Sequence, residues 1–152
     1  MTQIRPKTLR HRLAAMIAAL GAAATTLPTA GAAQEGRGIT LELSAAQDRE
    51  RSCLLSFLAQ NGMSADIDSA VYEVVLFDAS GAVSQLTLLD FETLPAGRPR
   101  VRQFAFPGKG CGDISRILIN GAETCTGDGV DAGACTDGLD LNSRVAGTEL
   151  IG

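Results

Sequence analysis

The chain has no tryptophan, one tyrosine (Tyr72) and one histidine (His11). His11 sits in a leading segment that reads as a cleaved signal, so the remainder is read as free of histidine. A Ser-His-Asp or Cys-His nucleophilic set needs an imidazole, and none is left to supply it. The scarcity of tyrosine and tryptophan argues against stacking platforms for sugars. The five phenylalanines fall within apolar strand-like runs and read as core. No C-x-x-C pair is present, which removes thioredoxin-type redox chemistry. The EF-hand pattern D-x-[DN]-x-[DN]-G is not met. No stretch keeps helical periodicity long enough for a sizeable helix.

What is there begins with an address. Arg5, Lys7, Arg10 and Arg12 form a positive start. Residues 13–27 form an apolar run, and residues 29–33 (TAGAA) supply small residues for cleavage. Residues 1–33 therefore read as a secretory signal cut after Ala32 or Ala33, with Ala33 preferred. The apolar run is shorter than the roughly 20 residues of a membrane span, and an uncleaved N-terminal anchor helix is the alternative. No cysteine lies near the cut, which argues against lipid attachment. Arg10 and Arg12 are split by His11, so the adjacent arginine pair of twin-arginine export is missing and the general secretory route is favoured.

Loss of the signal leaves nine Lys+Arg against 17 Asp+Glu, a net charge of −8 over residues 34–152. That opposes binding to nucleic acid and to anionic membrane surfaces. The remaining length suits one domain with one core.

All four cysteines, Cys53, Cys111, Cys125 and Cys135, lie after the signal. An exported chain with an even cysteine count reads as disulfide-bonded, and three pairings exist. The short Gly/Asp-rich loop between Cys125 and Cys135 favours their pairing, and Cys53–Cys111 then follows by elimination. A four-thiolate zinc site is the rival, but it normally uses closely paired cysteines, and these are widely spaced.

Residues 71–91, VYEVVLFDASGAVSQLTLLDF, carry more apolar surface than any other segment. They read as strand, turn, strand, closed by Asp78-Ala79-Ser80-Gly81. Val74, Leu76, Leu86 and Leu88 are expected to bury together. Further strands are expected at 39–44, 53–60, 100–106, 114–120 and 139–145, making seven. Residues 34–38 read as a mobile lead, 45–52 (AAQDRERS) as a loop, and 62–70 as a short helical turn at most. Residues 39–146 form the expected domain and 147–152 a tail. Seven short strands with frequent turn signals predict an all-β, seven-stranded antiparallel sandwich, immunoglobulin-like or fibronectin type III-like. A small Greek-key barrel is the alternative.

The segment RVRQFAF at 100–106 has an awkward phase, because strict alternation puts Arg100, Arg102, Phe104 and Phe106 on one face. Either a bulge near Gln103 resolves it, or the strand runs from a wet rim to a buried end. Arg98, Arg100 and Arg102 hold a third of the basic residues after the signal. The row could meet an acidic partner or an anionic glycan. The commoner roles, which are favoured here, are guarding an edge strand or pairing with acids on a neighbouring strand. Asp128, Asp131, Asp137 and Asp140 cluster in a Gly-rich loop and form a weak calcium candidate, set against an ordinary solvated loop. Asp66, Asp68, Asp78 and Asp90 are the carboxylates from which a hydrolase pair could be drawn, with nothing to mark any two of them.

The stretch from Cys53 to Asn61, the block YEVVLFDASGAV, the phrase LDFETLPAGRPRVRQFAFPG, and RILINGAETC together resemble a group of small exported proteins of Gram-negative bacteria. That group is often labelled only by a twin-arginine export-signal domain, a label the split Arg10/Arg12 pair does not fit. The resemblance spans residues 39 to about 145 and includes all four cysteine positions. It implies a secreted, disulfide-containing β domain and brings no activity or catalytic residues. The expected function is a periplasmic or secreted, non-enzymatic sandwich, with no cofactor, that binds a protein or an envelope component. A calcium- or small-ligand-binding module using residues 126–140 is the alternative.

Overall fold

The computed structural model describes residues 38–152. The signal expected at 1–33 and, Gly38 apart, the lead at 34–38 lie outside the described residues. Eight strands follow in order: β1 (Ile39–Arg49), β2 (Ser52–Asn61), β3 (Ser69–Phe77), β4 (Val83–Asp90), β5 (Arg100–Pro107), β6 (Arg116–Thr126), β7 (Asp140–Ser143) and β8 (Glu149–Ile151). One sheet has the order β5-β2-β1-β7 and the other β4-β3-β6-β8. The two pack together as a β-sandwich.

The count and the pairing correct the seven-stranded antiparallel expectation. Part of the expected tail forms β8, whose Leu150 is buried. Two pairings are parallel, β1 with β7 and β6 with β8. A three-residue strand bounded by Gly147 and Gly152 gives too little alternation to be seen in sequence.

In β1 the alternation of Ile39, Leu41 and Leu43 with Thr40, Glu42 and Ser44 places the first three fully inside. A bulge between Leu43 and Ala45 then resets the phase. Ala46 rather than Ala45 turns to the core, and the strand continues to Arg49 through residues expected to be loop. Glu50 makes the turn into β2 with a positive φ of 36°. Residues 62–70 form no helical turn. They run as bends and an isolated bridge between Ile67 and Leu94. Gly127 lies against this segment, where an added Cβ would sit 2.3 Å from the Asp66 carbonyl, so only glycine permits the approach.

In β5 the alternation is unbroken: its pairing with β2 shows no register shift. The strand runs from the half-buried Arg100 and Arg102 through Phe104 to the buried Phe106. The rim-to-core reading therefore holds and no bulge is needed.

The core lies between the sheets. Phe57 of β2 and Tyr72 of β3 both meet Phe91, which follows β4, at ring distances of 5.7 and 5.6 Å. Phe104 closes the cluster 5.2 Å from Phe91. Burial of each such side chain contributes about 1.5–3 kcal/mol. The Tyr72 hydroxyl is inside too, and donates a 2.8 Å hydrogen bond to the Cys135 carbonyl. Burial pushes its pKa well above the ordinary tyrosine range.

Candidate functional site

Cys53 is bonded to Cys111 and Cys125 to Cys135, with no free cysteine. Both expected pairs are present, and the zinc reading is overturned because no thiolate remains. Two disulfides suggest an oxidising, extracytoplasmic environment. Among the described residues no helix is long and apolar enough to cross a membrane. Cys111 opens a single 3-10 turn, Cys111–Asp113, inside a segment that reads as plain loop in sequence. Asp48, at the inward phase created by the β1 bulge, accepts the Cys111 N–H at 2.7 Å.

The Cys125–Cys135 link shapes the acidic loop without gathering its acids. Among the described residues no three His, Cys, Asp or Glu side chains converge as a metal would need. Asp128, Asp131, Asp137 and Asp140 are not brought to one point. The Asp131 carbonyl accepts the Ala134 N–H at 3.0 Å, and the Asp137 N–H bonds the Gly133 carbonyl at 2.7 Å. These are turn contacts.

Of the four carboxylates that could have supplied a hydrolase pair, three are aimed at backbone. Asp66 accepts the Ala96 N–H at 2.7 Å, and Asp90 accepts the Glu92 N–H at 2.8 Å. Asp78 accepts from the Ser80 hydroxyl and from the N–H groups of Ser80 and Ala82, closing the β3–β4 turn. The Ser80 hydroxyl is the main reason its pKa lies below the ordinary 3.8. A depressed folded pKa stabilises above the unfolded value and loses that contribution as pH falls through the folded one. The melting-temperature gap between wild type and Asp78→Ala should therefore close as pH drops from about 5 to about 2. A gap that stays constant over that range would show that ionisation of Asp78 is not what holds the turn.

The arginine row is divided. Arg102 donates from Nε to the Phe91 carbonyl at 2.7 Å and from Nη2 to the Thr93 carbonyl at 3.2 Å, and pairs with Glu92 at 3.2 Å. Its guanidinium is occupied in tying β5 to the chain leaving β4. Among the described residues Arg100 reaches only the carbonyl of its neighbour Pro99, and Arg98 is exposed. Arg100 and Arg102 lie on β5, an edge of its sheet, as the edge-guarding reading required, and Arg98 precedes the strand.

The surface hollows among the described residues are open to solvent. One of about 340 Å³ at the β1–β2 tip is lined by Asp48, Glu50, Arg51, Ser52 and the Gly108-Lys109-Gly110 turn. It mixes both charge signs and has no aromatic wall, unlike a typical small-molecule pocket.

The outer faces of the two sheets differ in kind. On the first, Glu42 is paired with Arg144 at 2.8 Å and accepts from Ser44 and Asn142. The Arg144 hydrogen bond is the leading cause of its lowered pKa. Gln103 bonds Ser56 across strands at 2.9 Å. On the second, Leu86 of β4 faces Val75 of β3, Val75 faces Leu118 of β6, and Leu118 faces Ile151 of β8. One apolar row thus crosses all four strands. Leu86 is 59% exposed, Ile151 40%, and Leu88 and Val83 beside them 52% and 63%.

This corrects the expectation that Leu86 and Leu88 join Val74 and Leu76 in the core. Only the latter two are buried there. In β4 the inward residues are Gln85, Thr87 and Leu89, opposite Leu76, Val74 and Tyr72. The rim of the row is charged. Arg116 lies over the Phe77 ring and pairs with Glu149 at 2.8 Å on one side. On the other, Asn120 donates to Glu73.

The class defined by these features is a disulfide-linked β-sandwich whose second sheet carries an apolar row across its outer face, while the outer face of the first mixes the Glu42–Arg144 pair with apolar residues that include the exposed Val101. Compared with protein-family models, curated proteins and solved structures, the chain finds no match.

Proposed function

We propose that this chain is exported to the periplasm or secreted, and acts there, without catalysis, by binding another protein through the outer face of its second sheet. The observation that carries this reading is the row Leu86–Val75–Leu118–Ile151 on the outer face, in which Val75 is buried but both ends, Leu86 and Ile151, are exposed, as are Leu88 and Val83 beside them. Soluble proteins rarely leave a contiguous apolar patch bare, and such patches mark interaction sites. The charged rim of Glu73, Arg116 and Glu149 around an apolar centre has the layout of a protein interface.

Export is supported by the leading basic and apolar segment, by the two disulfides and by the resemblance to small exported proteins. A binding role is supported by the use to which the acids are put: Asp48, Asp66, Asp78, Asp90 and Asp113 each hold backbone N–H groups. For the sandwich type we propose an immunoglobulin-like or fibronectin type III-like arrangement. Its support is the strand order. Strands β1-β2-β5 follow the A-B-E order of one immunoglobulin sheet and β3-β6 the C-F pair of the other, while β8 departs from the G position by pairing parallel to β6.

The test is photo-crosslinking in living cells. A photoreactive residue placed at Ile151 or at Leu118 should give an adduct with a second protein species. The same residue at Gln103, exposed on the opposite sheet, should give none. No adduct from Ile151 and Leu118, or adducts only between copies of this chain, would overturn the reading.

A further inference from the structure

Each sheet has two edges, and an open edge offers unpaired backbone groups to any passing strand. Three of the four edges here are protected. Strand β7 has four residues and includes Asp140; β8 has three. Strand β5 follows Pro99, ends on Pro107 and carries Arg100 and Arg102. Strand β4 is different. Its eight residues, VSQLTLLD, contain no proline and no charge before Asp90, and three are exposed large apolar residues.

The hydrogen-bond parity of this edge can be worked out. The Phe91 N–H bonds the Ala70 carbonyl at 2.8 Å, and the Asp78 N–H bonds the Ala82 carbonyl at 2.9 Å. On the other side of β3, the Phe77 carbonyl accepts the Ser115 N–H at 2.9 Å. Even-numbered residues of β3 therefore direct their backbone groups at β4, and odd-numbered ones at β6. Their β4 partners Leu89, Thr87 and Gln85 use their own groups on β3. The N–H and C=O groups of Leu86, Leu88 and Asp90 consequently point outward along the free edge.

We propose that two copies of this chain pair antiparallel along β4, joining their second sheets into one eight-stranded sheet about a twofold axis at Thr87. In this register Leu86 of each copy forms a hydrogen-bonded pair with the partner's Leu88, using the outward groups of both. Thr87 faces its own counterpart as the intervening non-hydrogen-bonded pair, a favourable cross-strand match. Asp90 falls opposite the uncharged Ser84, so no like charges meet. The contact is isologous, the same strand serving both copies, and it closes at two. It also sets the two apolar rows side by side on one continuous outer face, leaving that face open to a further partner. The pairing is independent of what binds there.

The test is sedimentation equilibrium on the pure protein isolated from the envelope, with no other protein present. A concentration-dependent dimer is expected, and a monomer at every concentration its solubility allows overturns the proposal. Leu86→Lys/Leu88→Lys sets like charges opposite each other across the axis and should raise the dimer dissociation constant by about 30-fold. Both positions are exposed, and an unchanged melting temperature of the dilute monomer confirms that the variant folds. Leu86→Lys/Leu88→Glu places opposite charges across the same axis and should recover dimerisation. Failure to recover means the register is wrong and the proposal falls. Ile151→Lys alters the apolar face at the far edge and should leave the dimer intact. Dissociation by Ile151→Lys would mean that faces, not edges, hold the copies together, and would equally sink the idea.

Discussion

Replacing Cys53 and Cys111 together by serine should lower the unfolding free energy by about 4 kcal/mol, against about 3 kcal/mol for the Cys125/Cys135 double replacement. The difference follows from loop length, since the two links close sequence separations of 58 and 10 residues. The longer link also does more topologically. Cys53 is fully buried on the inner face of β2, while Cys111 opens the turn that leads to β6 in the other sheet. All of β3, β4 and β5 lie between them. Without the link, the unfolded chain regains freedom across β3, β4 and β5 together, and the 3-10 turn loses its covalent tie to β2 while keeping the Asp48 hydrogen bond from β1. Urea unfolding of the two double variants measures this. Equal losses, or a larger loss for the short loop, would mean that native contacts rather than closure of the chain dominate. A steeper denaturant slope in the Cys53/Cys111 variant is expected as well, because its unfolded state exposes more surface.

The short link and most of the strands were legible in the sequence for the same reason, that their signals are local; the long link, 58 residues apart, followed only by elimination. Alternation at Ile39, Leu41 and Leu43, and turn chemistry at Asp78–Gly81, each act within a few residues. What could not be read was where one strand sits relative to another. Residues 83–91 carry apolar groups on both faces, Leu86 and Leu88 on one, Leu89 and Phe91 on the other. Which face turns inward depends on the β3–β4 register, and that register includes a shift between Leu76 and Phe77. A one-residue shift exchanges the faces of a strand. The apolar face now proposed for binding is therefore hidden, in sequence, within a segment that reads as core. The arginine row was visible, but its division was not. Only the fold carries the carbonyls of Phe91 and Thr93 to Arg102, while among the described residues Arg98 and Arg100 receive no comparable partner.

Phe91→Ala should cost about 3–5 kcal/mol. Phe91 is fully buried and touches aromatic rings from both sheets, Phe57 and Phe104 on one side and Tyr72 on the other. Few other side chains can fill the resulting space, since the rings of Phe57 and Tyr72 meet it edge-on and that of Phe104 at a tilt, and they cannot close over the gap without leaving their own neighbours. The backbone at this residue is fully engaged too. Its N–H holds Ala70 of β3 and its carbonyl receives Arg102 of β5, so the residue links the sheets through both its ring and its main chain. Phe91→Leu retains most of the volume and should cost about 1.5 kcal/mol or less. Denaturant titration of the two variants separates volume from chemistry. If Phe91→Leu is as damaging as Phe91→Ala, the edge-on ring contacts matter more than the filled space. If both are mild, the sandwich is held by its disulfides and strand ladders, and the aromatic cluster only occupies the gap between them.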